Sequence, residues 1–178
     1  MDTPQAQWFA MRDLRRPNAR LTAFAELTAA GFETFTPLKW VLSRRQGKTE
    51  RRQVPVIPDL LFVRSTRADL DPVVSRHPTL QYRYIRGAQA TPMTVPPTDM
   101  ERFIQAVTTA PDTRYYLPDE ITPAMIGSRV RIVGGPMDNH IGNLLYIRGS
   151  RVKRLIVQIP GLITAAVQVS PTALQLLP

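Results

Sequence analysis

Cysteine is absent from the 178 residues, which removes disulfides, thiolate metal sites and cysteine nucleophiles together. Histidine is nearly absent, with only His77 and His140. Neither has a carboxylate at a spacing that would build a metal site or an acid–base pair. Long apolar runs are also missing, since none approaches the roughly 18 residues of a membrane span. The opening Met1-Asp2-Thr3-Pro4 lacks the basic-then-apolar order of a signal peptide. Nine glycines stand against 17 prolines, a ratio that favours strand ends, rigid connectors and helix starts over a long helical bundle. These absences predict a soluble, cytoplasmic, non-catalytic protein with no cofactor, no metal and no membrane partner.

What is present is a core and a charge. Hydrophobic residues make up 43% of the chain and charged ones 21%, enough apolar material for packing and too little charge for global disorder. The formal net charge is +9. Such a balance favours contact with nucleic acid or an acidic protein surface and speaks to partners more than to fold.

Along the chain, Gln7 to Met11 reads as a short apolar strand. Pro17 is placed to open a helix with Leu21, Phe24 and Leu27 on one face and Gly31 at its end. A strand is expected from Phe32 through Leu42, another from Val54 through Val63, and a further one from Leu80 to Ile85. Ala68 to Arg76 reads as a short helix. Met100, Phe103, Ile104 and Val107 follow Pro96-Pro97 in the spacing of an amphipathic helix. Residues 1–110 therefore predict an α+β domain, an antiparallel sheet with helices packed on it. Residues 111–122, with Pro111, Pro118 and three carboxylates, read as a linker. Residues 123–178 alternate in short β segments and predict a small C-terminal β-barrel.

The charges divide unevenly. Residues 1–110 hold 16 Lys+Arg against 10 Asp+Glu, residues 111–122 are net −2, and residues 123–178 hold six against one. Both predicted domains are basic and their joint is acidic.

Two segments of the first domain and one of the second now combine. Gln7-Trp8-Phe9-Ala10 and Pro55-Val56-Ile57-Pro58-Asp59-Leu60-Leu61-Phe62-Val63 resemble the signature strands of the NusG N-terminal domain. Gly127 to Met137, followed by His140-Ile141-Gly142-Asn143-Leu144, is similar to a KOW motif, with Val130, Gly135, Pro136 and Gly142 at its marked positions. The resemblance narrows at Leu60 to Thr66, Tyr82-Arg83-Tyr84-Ile85, Pro92 to Pro96, Met100 to Ile104 and Ile159-Pro160-Gly161. Those segments look like the UpxY branch, specialised bacterial paralogues associated with capsular polysaccharide operons. Asp59 and Leu60 stand where the general factor carries glycine and then tyrosine.

The resemblance implies a monomeric transcription elongation and antitermination factor with a NusG N-terminal-like domain and an SH3-like KOW barrel. It implies that Trp8, Phe9, Val56, Ile57, Pro58 and Leu60 lie at the apolar cavity that receives the clamp helices of RNA polymerase. From the residues alone, the same six also read as plain core. Arg44, Arg45, Lys48, Arg51 and Arg52 put five cations in nine residues around Gly47. They read either as a hairpin tip reaching upstream or non-template DNA or the polymerase, or as a solvated loop charged against edge pairing. No aromatic interleaves these cations in sequence. Arg12, Arg15, Arg16 and Arg20 flank a helix start, where they oppose the helix dipole, so a nucleic-acid or polymerase contact is the alternative reason for them. The KOW domain would recruit a ribosomal protein or a termination factor. His140, in the KOW turn, is expected to face solvent, and Gly134-Gly135 to permit a tight turn. Two rivals remain open: a general NusG-type elongation factor, and a KOW-containing RNA- or ribosome-binding protein.

Overall fold

A computed structural model of the chain describes residues 5–15, 22–110 and 112–178. It is a mixed α+β structure of antiparallel sheets and three α-helices, as expected, and it divides into two compact units between Pro96 and Pro97. The helix start expected at Pro17, with Leu21, lies outside the described residues, as do Arg16, Arg20 and Pro111. No helix among the described residues is long and apolar enough to cross a membrane.

The first unit contains β1 (Gln7–Asp13), α1 (Ala23–Ala29), β2 (Glu33–Phe35), β3 (Leu38–Arg45), β4 (Lys48–Pro55), β5 (Leu60–Ser65), α2 (Arg67–Arg76), β6 (Leu80–Tyr82) and β7 (Thr94–Val95). Its main sheet runs β2-β5-β1-β6, with β7 also paired to β1. Phe9 lies opposite Val63 and Met11 opposite Leu61, so these four share a face, because alternate side chains point the same way. Helices α1 and α2 pack that face through Ala23, Leu27 and Leu70. Each large apolar side chain buried there contributes roughly 1.5–3 kcal/mol. Threonine hydroxyls start both helices: Thr22 accepts from the Ala25 amide and Thr66 from the Asp69 amide, each at 3.2 Å. Such a cap typically stabilises by about 1 kcal/mol.

Two expected long strands are each broken in two. The run from Phe32 to Leu42 separates at Thr36-Pro37, where the buried Thr36 hydroxyl donates to the Leu60 carbonyl at 2.8 Å. The run from Val54 to Val63 breaks at a turn in which the Leu60 amide donates to the Ile57 carbonyl at 3.1 Å. Pro58 sits second in that turn, where its fixed φ suits the geometry and its missing N–H costs nothing. These two breaks release β3 and β4 from the main sheet as a separate two-stranded hairpin.

The second unit contains α3 (Pro97–Thr109), β8 (Thr113–Tyr116), β9 (Ile126–Ile132), β10 (Ile141–Leu145), β11 (Arg154–Ile159), β12 (Ile163–Gln168) and β13 (Leu174–Leu176). The strands form one antiparallel sheet in the order β13-β9-β10-β11-β12-β8. Helix α3 packs on β11 and β12 with Met100, Phe103 and Ala106 buried, and so falls with this unit although the sequence groups it with the first. The segment expected as linker is partly ordered into the sheet, with Ala165 opposite Tyr115 and Thr164 opposite Tyr116. Tyr116 and Ile121 pack on Leu145, Ile156 and Ala166, so its few apolar residues outweigh its prolines and carboxylates.

Candidate functional site

The six apolar candidates occupy three environments. Phe9 belongs to the core beneath α1 and α2, its ring edge-on to Tyr82 with centroids 5.5 Å apart. Trp8 and Leu60 lie on the opposite face of the sheet with Ala10 and Phe62, and all four are buried. Val56, Ile57 and Pro58 sit at the junction of hairpin and sheet, where Val56 and Ile57 are half-buried and Pro58 is exposed. The Val56 amide donates to the Pro37 carbonyl at 2.8 Å, which fixes this junction to the root of the hairpin.

The hairpin itself pairs β3 with β4 over eight residue pairs, from Leu38 opposite Pro55 to Arg45 opposite Lys48. Gln46 and Gly47 form its two-residue turn with φ of 50° and 78°, both left-handed, as a type I′ connection demands. Arg44, Arg45, Lys48, Arg51 and Arg52 are all exposed. Register places Arg44 and Arg51 on one face and Arg45, Lys48 and Arg52 on the other. Pairing also brings an aromatic among the cations, which the linear sequence did not show. The Arg51 guanidinium lies 4.4 Å from the centre of the Trp40 ring, and Trp40 is 54% exposed. The signal for this residue was parity: Trp40 faces Gln53 across the hairpin, one step diagonal to Arg51.

The arginines near β1 are tied more closely to the fold. Arg12 Nε donates to Asp59 Oδ2 at 3.2 Å, and Arg83 Nη2 donates to Asp59 Oδ1 at 3.1 Å. One carboxylate thus serves two guanidinium groups. Burial pushes the Arg83 pKa down, against the pull of Asp59. Arg15 donates to Glu26 at 2.6 Å and to the Thr79 hydroxyl at 3.2 Å. The hydrogen bond to Glu26 raises the Arg15 pKa, and the same bond lowers that of Glu26.

In the second unit, Val130 is buried in β9 and Gly142 lies in β10, while Gly135 and Pro136 occupy the exposed turn between these strands. Gly134 and Gly135 have φ of 81° and 75°, which accounts for two consecutive residues without Cβ. The Gly134 amide donates to Asp138 Oδ1 at 2.6 Å and closes the turn. His140 departs from expectation. It is buried at 6% exposure, its Nε2 without a hydrogen-bond partner, because the turn folds back and points the ring inward. Among the described residues no three His, Asp or Glu side chains gather as a metal site.

A family model described as transcription termination factor nusG matches residues 6–104, more than half of the chain. The chain belongs to the NusG family. Membership identifies a transcription factor and carries the non-enzymatic reading with it. The matched stretch spans the main sheet, the cationic hairpin and the start of α3. Among solved structures, the chain is similar to NusG of Thermotoga maritima, in a structure titled for domain interaction in that protein. The two share 15% identity over 98% of each chain, with a TM-score of 0.52, a likeness of fold. No curated protein matches the chain.

Proposed function

We propose that this NusG-family chain binds the clamp helices of RNA polymerase and acts as an elongation and antitermination factor on long operons, capsular polysaccharide operons among them. The observation that carries the polymerase reading is the Val56-Ile57-Pro58 junction. It leaves apolar surface partly open at the root of a cationic hairpin, within the stretch the family model matches. A helical tip with apolar anchors fits such a surface, and the adjoining arginines suit its acidic surroundings. Binding the processive state of polymerase more tightly than the paused one is what would stabilise processivity. The first unit, through Pro96, acts as the polymerase-binding domain. Residues 123–178 act as a KOW module that recruits a ribosomal protein or termination factor at high effective concentration.

The specialised role is supported by the UpxY-like segments and by Asp59-Leu60 in place of glycine and an aromatic. Chromatin immunoprecipitation tests it: occupancy confined to a few long operons supports specialisation, and genome-wide occupancy identifies a general elongation factor. Pull-down tests the class, since co-purification with ribosomes but not polymerase would make the chain a translation-linked RNA binder.

A further inference from the structure

We propose that Arg12 and Arg83, bridged by Asp59, form a carboxylate-binding site that takes an acidic side chain of the polymerase helix tip beside its apolar anchor. This names the chemistry of the contact at the Ile57 junction and rests on the polymerase reading given above. Register places the site. Arg12 lies opposite both Leu60 and Gln81, so it belongs to the sheet face of Trp8 and Leu60, away from α1 and α2. Two residues beyond Gln81, the Arg83 amide donates to the Ala10 carbonyl at 2.9 Å. That bond continues the ladder and brings the Arg83 side chain to the same face. Asp59 meets both arginines from the turn that opens β5, and its carbonyl accepts from the Asp13 amide at 2.9 Å.

The cluster is short of negative charge. Each guanidinium carries five N–H donors, and Asp59 takes one from each, through Arg12 Nε and Arg83 Nη2. Among the described residues Arg12 makes no other side-chain hydrogen bond, so its two terminal nitrogens stay open. Arg83 Nε is buried without a partner. Asp13, the next residue of β1, does not help, since its carboxylate accepts from the Arg15 and Ala23 amides. Burial works against the Arg83 cation, as does the charge of Arg12, and Asp59 only partly offsets them. A second carboxylate answers each of these shortfalls, because arginine forks bind carboxylates through two parallel bonds.

The neighbouring surface decides the class of partner. The Leu60 amide closes its turn on the Ile57 carbonyl at 3.1 Å, and such a turn keeps its ends within about 7 Å. Half-buried Ile57 and exposed Pro58 therefore stand beside Asp59 and its two arginines. Residues three or four apart on a helix have Cβ atoms about 5–6 Å apart. A helix with an aliphatic residue and, one turn away, an aspartate or glutamate can cover Ile57 and reach the guanidinium pair together. A nucleic-acid phosphate would match the cations but leave Ile57 uncovered.

The test is binding of nucleic-acid-free core polymerase to the full chain across a salt series, compared per folded molecule. The Arg12 side chain is 48% exposed, so Arg12→Gln should fold. It is expected to weaken binding by about tenfold and to flatten the salt dependence, and Arg83→Gln acts the same way. Asp59→Asn discriminates, because it keeps an acceptor oxygen and removes the internal carboxylate that competes for the arginines. It should hold or tighten polymerase affinity. Weakened binding in Asp59→Asn would mean that the arginines merely clamp the turn, and it overturns the site. Unchanged affinity in Arg12→Gln overturns it too. So does a loss that appears only once a nucleic-acid scaffold is added, which assigns the cations to phosphate. Weakened binding in Ile57→Asp with full affinity in Arg12→Gln defeats the carboxylate site alone, whereas no binding by the wild type defeats the polymerase reading with it.

Discussion

Trp8 and Phe9 are adjacent in β1 yet serve opposite faces of one sheet, Phe9 beneath the two helices and Trp8 with Leu60 and Phe62 on the other side. Side-chain alternation forbids them from lining one cavity floor together. Phe9→Ala is therefore expected to act on stability, by about 3–5 kcal/mol as for other buried phenylalanines. Denaturant unfolding checks it. Polymerase affinity per folded molecule should stay at the wild-type value.

Close packing in the second unit gives a sharper test. A Cβ added at Gly142 would stand 2.9 Å from the Ile156 carbonyl oxygen and 3.2 Å from Leu155 Cδ1. The first of these is backbone of the adjacent strand and cannot swing away. Gly142→Ala should cost about 1–3 kcal/mol by overpacking, read as a lowered Tm, while Gly135→Ala meets no neighbouring atom and pays only for its positive φ.

The Arg15–Glu26 pair makes stability depend on pH. The hydrogen bond from Arg15 holds the Glu26 carboxyl below its ordinary range, aided by the charges of Arg15 and His77 and opposed by desolvation. A depressed folded pKa contributes stability above the unfolded glutamate value, and that stability is lost as pH falls through the folded pKa. Glu26→Gln should thus destabilise most near neutral pH and progressively less in acid. Urea unfolding across a pH series checks this, and a cost that grows on acidification would contradict it.

Much of this architecture was legible from pattern. The apolar run at residues 60–63, the helix around Leu70 and the spacing of Met100, Phe103 and Val107 all announced their elements, because burial of a regular face leaves a period in sequence. What escaped were features set by tertiary pairing. Tyr115 and Tyr116 looked like connector beside Pro118, but a free sheet edge at β12 recruits them as β8. Trp40 looked distant from the basic tip, and only strand register brings Arg51 over its ring. His140 looked like a loop residue, yet the turn returns it to the interior.

The recruited edge strand has its own anchor. Arg154 is buried, and its guanidinium donates to the Asp112 carboxylate and, at 3.1 Å, to the Asp112 carbonyl. Asp112→Ala removes the carboxylate and leaves the cation on backbone carbonyls alone. Because the Asp112 side chain is 54% exposed, the expected cost is about 1–3 kcal/mol, short of the full penalty for a buried pair. Hydrogen exchange at β8 amides should rise before that of β11.

Binding of purified RNA polymerase to the purified chain, with Ile57→Asp beside wild type, tests the central claim most directly. Ile57 is half-buried at the hairpin junction, so a charge there lowers Tm by part of its lost burial, and affinity is compared per folded molecule, where it confronts the polymerase with an unpaired carboxylate. The expected result is a loss of affinity of about tenfold or more, the equivalent of ~1.4 kcal/mol, together with lost readthrough of a terminator. Unchanged polymerase affinity in a folded Ile57→Asp chain would contradict the proposed docking surface.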